Sequence, residues 1–166
     1  MRKKEEIMMK KVCAMLLALV LSLSLAACGG DNGGSSASVV LSDLLNEINT
    51  QYGISGLKVL ESASDLTRYY RIDEADVKQF AAEMSTSSSQ FTEVIMVEAA
   101  DSAAADRIVT QLNNHLDTQV NTAKSYSKEF LDMIESRKVE KSGSYVYLVI
   151  SENADAIEKT IADKIK

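Results

Sequence analysis

Cysteine is nearly absent from this 166-residue chain, with two residues, and histidine occurs once. Cys13 lies inside an apolar N-terminal run and Cys28 at its end, so the region beyond has no pair of thiols. A disulfide, a cysteine nucleophile or a cysteine-based metal site is therefore not expected there. His115 alone cannot build a zinc site without several carboxylates, and it has no thiol to activate. Positive charge is also scarce. From residue 28 onward there are 13 Lys and Arg against 22 Asp and Glu, a net charge of −9, against −6 for the whole chain. Such a surface repels phosphate backbones, which excludes nucleic-acid binding. It offers no basic patch to anionic lipid and chiefly favours solubility. Four of the seven glycines fall between residues 29 and 34.

What is present first is a leader. Arg2, Lys3, Lys4, Lys10 and Lys11 form a basic segment, and Val12 to Leu25 is apolar except for Ser22 and Ser24. Glu5 and Glu6 interrupt the basic segment, and a start at Met8 or Met9 would make a cleaner one than Met1. This is the layout of a secretory signal. As a helix, the apolar run would span ~21 Å, short of the ~30 Å hydrocarbon core of a bilayer. Leu25, Ala26, Ala27 and Cys28 close it and resemble a bacterial lipobox. The resemblance implies diacylglycerol on the Cys28 thiol, cleavage after Ala27, and a protein held on the extracytoplasmic face of the cell membrane. Two acyl chains anchor stably where one binds reversibly.

Residues 1–27 are thus expected to be a signal peptide and 28–38 a lipidated Gly/Ser linker with a reach of ~17 Å. A phosphate-binding glycine loop does not fit the linker, because no strand precedes it and no Gly-Lys-Ser/Thr follows. Residues 39–166 have the length of one domain with its own core.

Within that domain, Val40, Leu41, Leu44, Leu45 and Ile48 have helical spacing, with Ser42 or Ser38 as cap and Gly53 as stop. Leu57, Val59 and Leu60 mark a short loop or strand, and Ser64 a brief capped helix through Tyr70. Asp73 to Met84 is open: Val77, Phe80, Ala81 and Met84 fit a helix stripe, yet the segment can also be an edge strand. Glu93 to Glu98 reads as a strand. Asp101 caps a long helix carrying Ile108, Val109, Leu112, Leu116 and Val120. Tyr126 to Arg137 forms another helix, 138–151 a hairpin turned by Gly143, and Asn153 caps a last helix with Ile157, Ile161 and Ile165. The fold class is α+β: one antiparallel sheet of about four strands with helices packed on it. An offset of 52 relates Val94 to Val146, Val97 to Val149, Asp101 to Asn153 and Val109 to Ile161. That is either a duplicated β-β-α unit or the general likeness of strand–cap–helix segments.

Three stretches carry a family resemblance: Asp76 to Met84 (DVKQFAAEM), Thr92 to Val97 (TEVIMV) and Tyr145 to Ile157 (YVYLVISENADAI). With the lipobox they resemble a family of small Gram-positive lipoproteins catalogued as a domain of unknown function, number 4358. The likeness runs from Leu41 to the end, with Ser85 standing where a proline is expected. It implies an anchored extracytoplasmic domain, tips Asp73 to Met84 toward the strand, and brings no catalytic residues.

The chemistry-bearing clusters are few. Asp73, Glu74 and Asp76 lack calcium-loop spacing and read as a capping turn. Ser85 to Ser89 reads as a solvated loop. His115 sits beside a helix stripe, as a surface or boundary residue. Tyr69, Tyr70, Tyr145 and Tyr147 could form a binding face, since tyrosines stack on sugars or anchor partners; a sheet covered on both faces would instead bury those on the last strand. The expectation is a non-enzymatic binding or accessory module without cofactor, working with an unknown extracytoplasmic protein. The alternative is a module for a small solute or cell-wall fragment. A tyrosine-lined pocket would favour the solute, and a flat apolar patch the protein partner.

Overall fold

A computed structural model of the chain describes residues 39–87, 90–126 and 128–165. The signal peptide, the linker, the lipobox residues Leu25, Ala26 and Ala27, and Cys28 lie outside these residues, as does Ser38.

The apolar spacing of the first segment produces helix α1, Leu41–Tyr52, which buries Leu41, Leu44, Leu45 and Ile48. Gly53 ends it with φ +66°, the left-handed conformation that glycine adopts without steric cost. The expected serine cap is replaced by a longer-range one. Val40 stands at the N-cap without a side-chain bond, and the Leu41 N–H donates to Gln79 Oε1 at 3.1 Å. Gln79 Nε2 also donates to the Val39 carbonyl (2.8 Å) and to Glu98 (2.6 Å). One glutamine thus fastens the chain's entry to the sheet.

Strand β1 is only Lys58–Val59. Helix α2, Ala63–Tyr70, is capped by Ser62 rather than Ser64, because Asp65 three residues on completes a reciprocal capping box with Ser62. Asp73 accepts the Ala75 N–H and opens a single 3-10 turn, Glu74–Asp76. The ambiguous segment is strand β2, Val77–Met84. It pairs with β3, Glu93–Ala99, with a register shift at Lys78. Asp101 accepts the Ala104 N–H at 2.7 Å and starts helix α3, Ser102–Ala123. Helix α4 is Lys128–Glu135, within the expected 126–137. Gly143 turns the hairpin of β4, Glu140–Ser142, and β5, Tyr145–Ile150, at φ +59°. In front of the last helix, α5 (Ala154–Lys164), Ser151 Oγ accepts the Asn153 N–H, and the Asn153 side chain makes no cap bond.

The fold is α+β with one antiparallel sheet of five strands in the order β1-β2-β3-β5-β4. The strand beyond the expected four is the two-residue β1. Helices cover both faces. Ile95, Val97, Val146, Leu148 and Ile150 point to α2, α3 and α4. Val94, Met96, Tyr147 and Val149 point to α1 and α5. Every residue of β3 is consequently buried.

This arrangement decides the internal echo. β3 and β5 are antiparallel neighbours, so a structural duplication would relate them by a two-fold axis normal to the sheet, with both following helices on one face. Instead α3 packs on one face and α5 on the other. The offset also relates Val94 to Val146, which face opposite layers. The echo is a likeness of strand–cap–helix segments.

Burial creates one polar strain inside the α1 layer. Glu83 on β2 is 3% exposed. Asn49 Nδ2 donates to its Oε2 at 2.9 Å, while Glu83 Oε1 and Asn49 Oδ1 are buried without partners. Desolvation holds the Glu83 carboxyl above its ordinary value, against the opposing bond from Asn49. Above that ordinary value the folded chain keeps a proton that the unfolded chain has released. The contribution of this group to stability therefore declines as pH rises through the interval between the two values. Glu83→Gln is expected to remove that decline and to be at least as stable as the parent at neutral pH, read from urea midpoints across a pH series. A Gln variant with the parent's pH profile would mean that Glu83 is ionised as readily folded as unfolded.

Candidate functional site

The face built from α2 and α3 carries a groove between these two helices, with a volume of about 520 Å³. Its floor is polar because two side chains meet beneath it from distant parts of the chain. Glu93 opens β3 and turns toward α3, where the helix presents His115 one turn beyond Gln111. His115 Nε2 lies 2.9 and 3.0 Å from the two Glu93 carboxylate oxygens, and the Gln119 amide nitrogen lies 3.2 Å from the same ring nitrogen. Facing two carboxylate oxygens, Nε2 carries a proton and donates it. The side chains of His115 and Glu93 are 10% and 4% exposed, so this is a buried pair. Nδ1 has no partner among the described residues.

Tyr70 packs on the imidazole with ring centroids 4.6 Å apart. It is 1% exposed, and its hydroxyl has no partner among the described residues. Burial, and then the negative charge of Glu93, push the Tyr70 hydroxyl well above its ordinary titration range, so it stays protonated. The rim is different in character. Arg68 and Arg71 are exposed there, with the amides of Gln111 and Asn114 across the groove on α3. Tyr69 borders it as well. Lys58 donates to the Tyr69 hydroxyl at 2.7 Å and thereby lowers its titration. The Arg68 guanidinium lies 5.5 Å from the same ring's centroid.

These groups present hydrogen-bond donors and acceptors to the groove. Thr118, the hydroxyl residue of the groove, spends its proton on the Asn114 carbonyl of its own helix at 2.9 Å. Among the described residues no group of three or more His, Cys, Asp or Glu is arranged to hold a metal ion.

The four tyrosines do not form one face. Tyr69 and Tyr70 belong to the α2–α3 side, Tyr145 and Tyr147 to the α1–α5 side. Tyr147 is 6% exposed and packs in the core, and Tyr145 is half-buried beside Glu98. Only Tyr69 and Tyr70 reach the groove. His115 is the boundary residue that its position beside the stripe suggests, with its ring turned inward to Glu93. Glu93 escaped the sequence reading altogether. Its signal was weak: a carboxylate on the same strand parity as Ile95 and Val97, hence on an apolar face. The acidic turn works as a cap through Asp73, while Asp76 is held by Arg107 through two bonds. Of Ser85 to Ser89, residues 88 and 89 lie outside the described residues.

The model of the family described as Domain of unknown function (DUF4358) matches residues 46–151. That span contains the whole groove together with Glu93. No curated protein and no solved structure matches the chain.

If Glu93 is a buried charge satisfied by His115, removing the imidazole should cost more than removing the charge. His115→Ala is expected to lose about 3–5 kcal/mol, because it strands the carboxylate. Glu93→Gln, which keeps an acceptor, should lose about 1 kcal/mol. Urea denaturation at neutral pH measures both, and equal losses would refute the dependence of Glu93 on the imidazole.

Proposed function

The chain belongs to the family of the domain of unknown function DUF4358, and from that premise we propose a lipid-anchored extracytoplasmic module that binds a small solute or a cell-wall fragment without transforming it. The observation that carries the binding half is the α2–α3 groove. It is roomy, polar, bordered by Tyr69 and Tyr70, and rimmed by side chains with hydrogen-bonding capacity to spare. Its volume falls in the ~300–1,000 Å³ range of ligand sites.

A protein-docking role has less to rest on. The large apolar side chains exposed among the described residues are Val40, Val59 and Tyr126, on three separate segments. The anchoring half rests on the leader: a basic segment, an apolar run, then Leu25-Ala26-Ala27-Cys28 and a Gly/Ser tether. No helix among the described residues is long and apolar enough to cross a membrane, so membrane attachment in this reading comes from diacylglyceryl-Cys28. Val39 and α1 lie on one face of the sheet, and the groove lies on the other.

Anchoring is tested by growing a bacterial host that expresses the full chain on an alkyne-tagged fatty acid. The parent is expected to acquire the label and to partition into detergent, and Cys28→Ala to lose the label completely. An unlabelled parent, or a Cys28→Ala variant labelled like the parent, would overturn the anchor.

A further inference from the structure

Four arginines lie among the described residues, and they divide by partner. Arg107 holds Asp76, and Arg137 holds Asp155. Arg68 and Arg71 have no carboxylate partner among the described residues, although acidic side chains outnumber basic ones in this domain. Both stand on the rim of the α2–α3 groove.

Arg71 is further distinguished by its backbone. Its φ of +60° makes it the one non-glycine residue with positive φ among the described residues. The position is the C-cap of α2, where its N–H closes the helix by bonding the Leu66 and Thr67 carbonyls. Such a cap favours glycine or asparagine, because a β-carbon is strained in the left-handed region. An arginine there costs conformational energy that the cap does not need, and strained backbone of this kind gathers at binding sites. Arg71 is exposed. It also borders a second recess containing Asp73, Asp76 and Arg107. In that recess Asp76 is taken by Arg107 and Asp73 by the Ala75 N–H. The carboxylate under the groove, Glu93, is bound by His115 on both oxygens.

Resting on the solute-binding reading above, we infer that the groove takes an oxyanion, a carboxylate or phosphate on a polar body, held by Arg68 and Arg71 with its body against Gln111 and Asn114. Guanidinium forks match the two oxygens of such a group, and charge-assisted bonds are the stronger kind. Neither amide side chain has another partner among the described residues. The rim thus joins two cations that no carboxylate neutralises among the described residues, on a domain that is acidic overall.

Arg71→Gly separates this role from a structural one, because glycine relieves the cap while removing the guanidinium. The full chain in detergent micelles is titrated calorimetrically with N-acetylmuramic acid, with inorganic phosphate, and with N-acetylglucosamine as a neutral sugar. Binding of N-acetylmuramic acid or of phosphate is expected, weakened by added salt, and at least about ten-fold weaker in Arg71→Gly. The variant's melting temperature should be unchanged or higher. Binding of N-acetylmuramic acid alone makes a carboxylated sugar the source of the oxyanion, and binding of both makes the oxyanion itself the determinant. If the neutral sugar binds as well as the acid and Arg71→Gly binds like the parent, the oxyanion inference falls and the solute reading stands. If none of the three binds, both fall. A lower melting temperature in Arg71→Gly would make Arg71 a structural residue and also overturn the inference.

Discussion

The antiparallel pairing of β3 with β5 is the constraint from which the rest of this structure follows. In that pairing Ile95 lies opposite Leu148 and Val97 opposite Val146 on one face, while Val94 lies opposite Val149 and Met96 opposite Tyr147 on the other. Both strands are apolar on both sides, so neither face can be left to water. Helices must cover the two faces, and the chain supplies α2, α3 and α4 to one and α1 and α5 to the other. A two-sided core also relieves the domain of any need for disulfides, because it draws apolar surface from every helix. The sheet's edges are kept short: β1 has two residues and β4 three, which limits edge-to-edge pairing with other chains.

The same double cover determines where polar groups can function. Three glutamates on the inner strands, Glu83, Glu93 and Glu98, are almost fully buried. Each is matched differently. Glu98 takes Lys78 and Gln79, and through Gln79 it steadies Val39 and the start of α1. Glu83 has only the Asn49 amide. Glu93 has His115, the single histidine of the chain, and this pair lies under a groove while the other two lie under packed helix or sheet edge. The proposed binding site lies on the groove side on the ground of access as much as chemistry. The arginine rim places two cations without a carboxylate partner among the described residues on a domain that is acidic overall.

Much of the fold was legible in the residues because local signals and tertiary packing agree. Leu41 to Ile48, Ile108 to Leu116 and Ile157 to Ile165 bury the stripes that their spacing marks, Asp101 caps as its type requires, and Gly53 and Gly143 adopt positive φ where a stop and a turn were expected. Where signals conflicted, local pattern lost. Val77 to Met84 carries a helical stripe but forms a strand, since β3 needs a partner along its other edge. Ser62 rather than Ser64 caps α2, because only Ser62 has an acid three residues ahead to complete the reciprocal bonds. The tyrosines misled for a similar reason: residue type marks the capacity to bind, but strand parity and the double helix cover placed Tyr147 in the core.

By itself the sequence determined the charge balance, the thiol count, the leader pattern with its Cys28, and the alternation that commits β3 and β5 to burial, all of which are local or compositional properties. Tertiary structure alone decided which helix covers which face, that Glu93 and His115 meet although 22 residues apart, and that Arg68 and Arg71 share a rim with Gln111 and Asn114. Those juxtapositions depend on how α2 docks against α3 over the sheet. Docking is the sum of many weak apolar contacts distributed along the chain, so no short stretch of residues carries it.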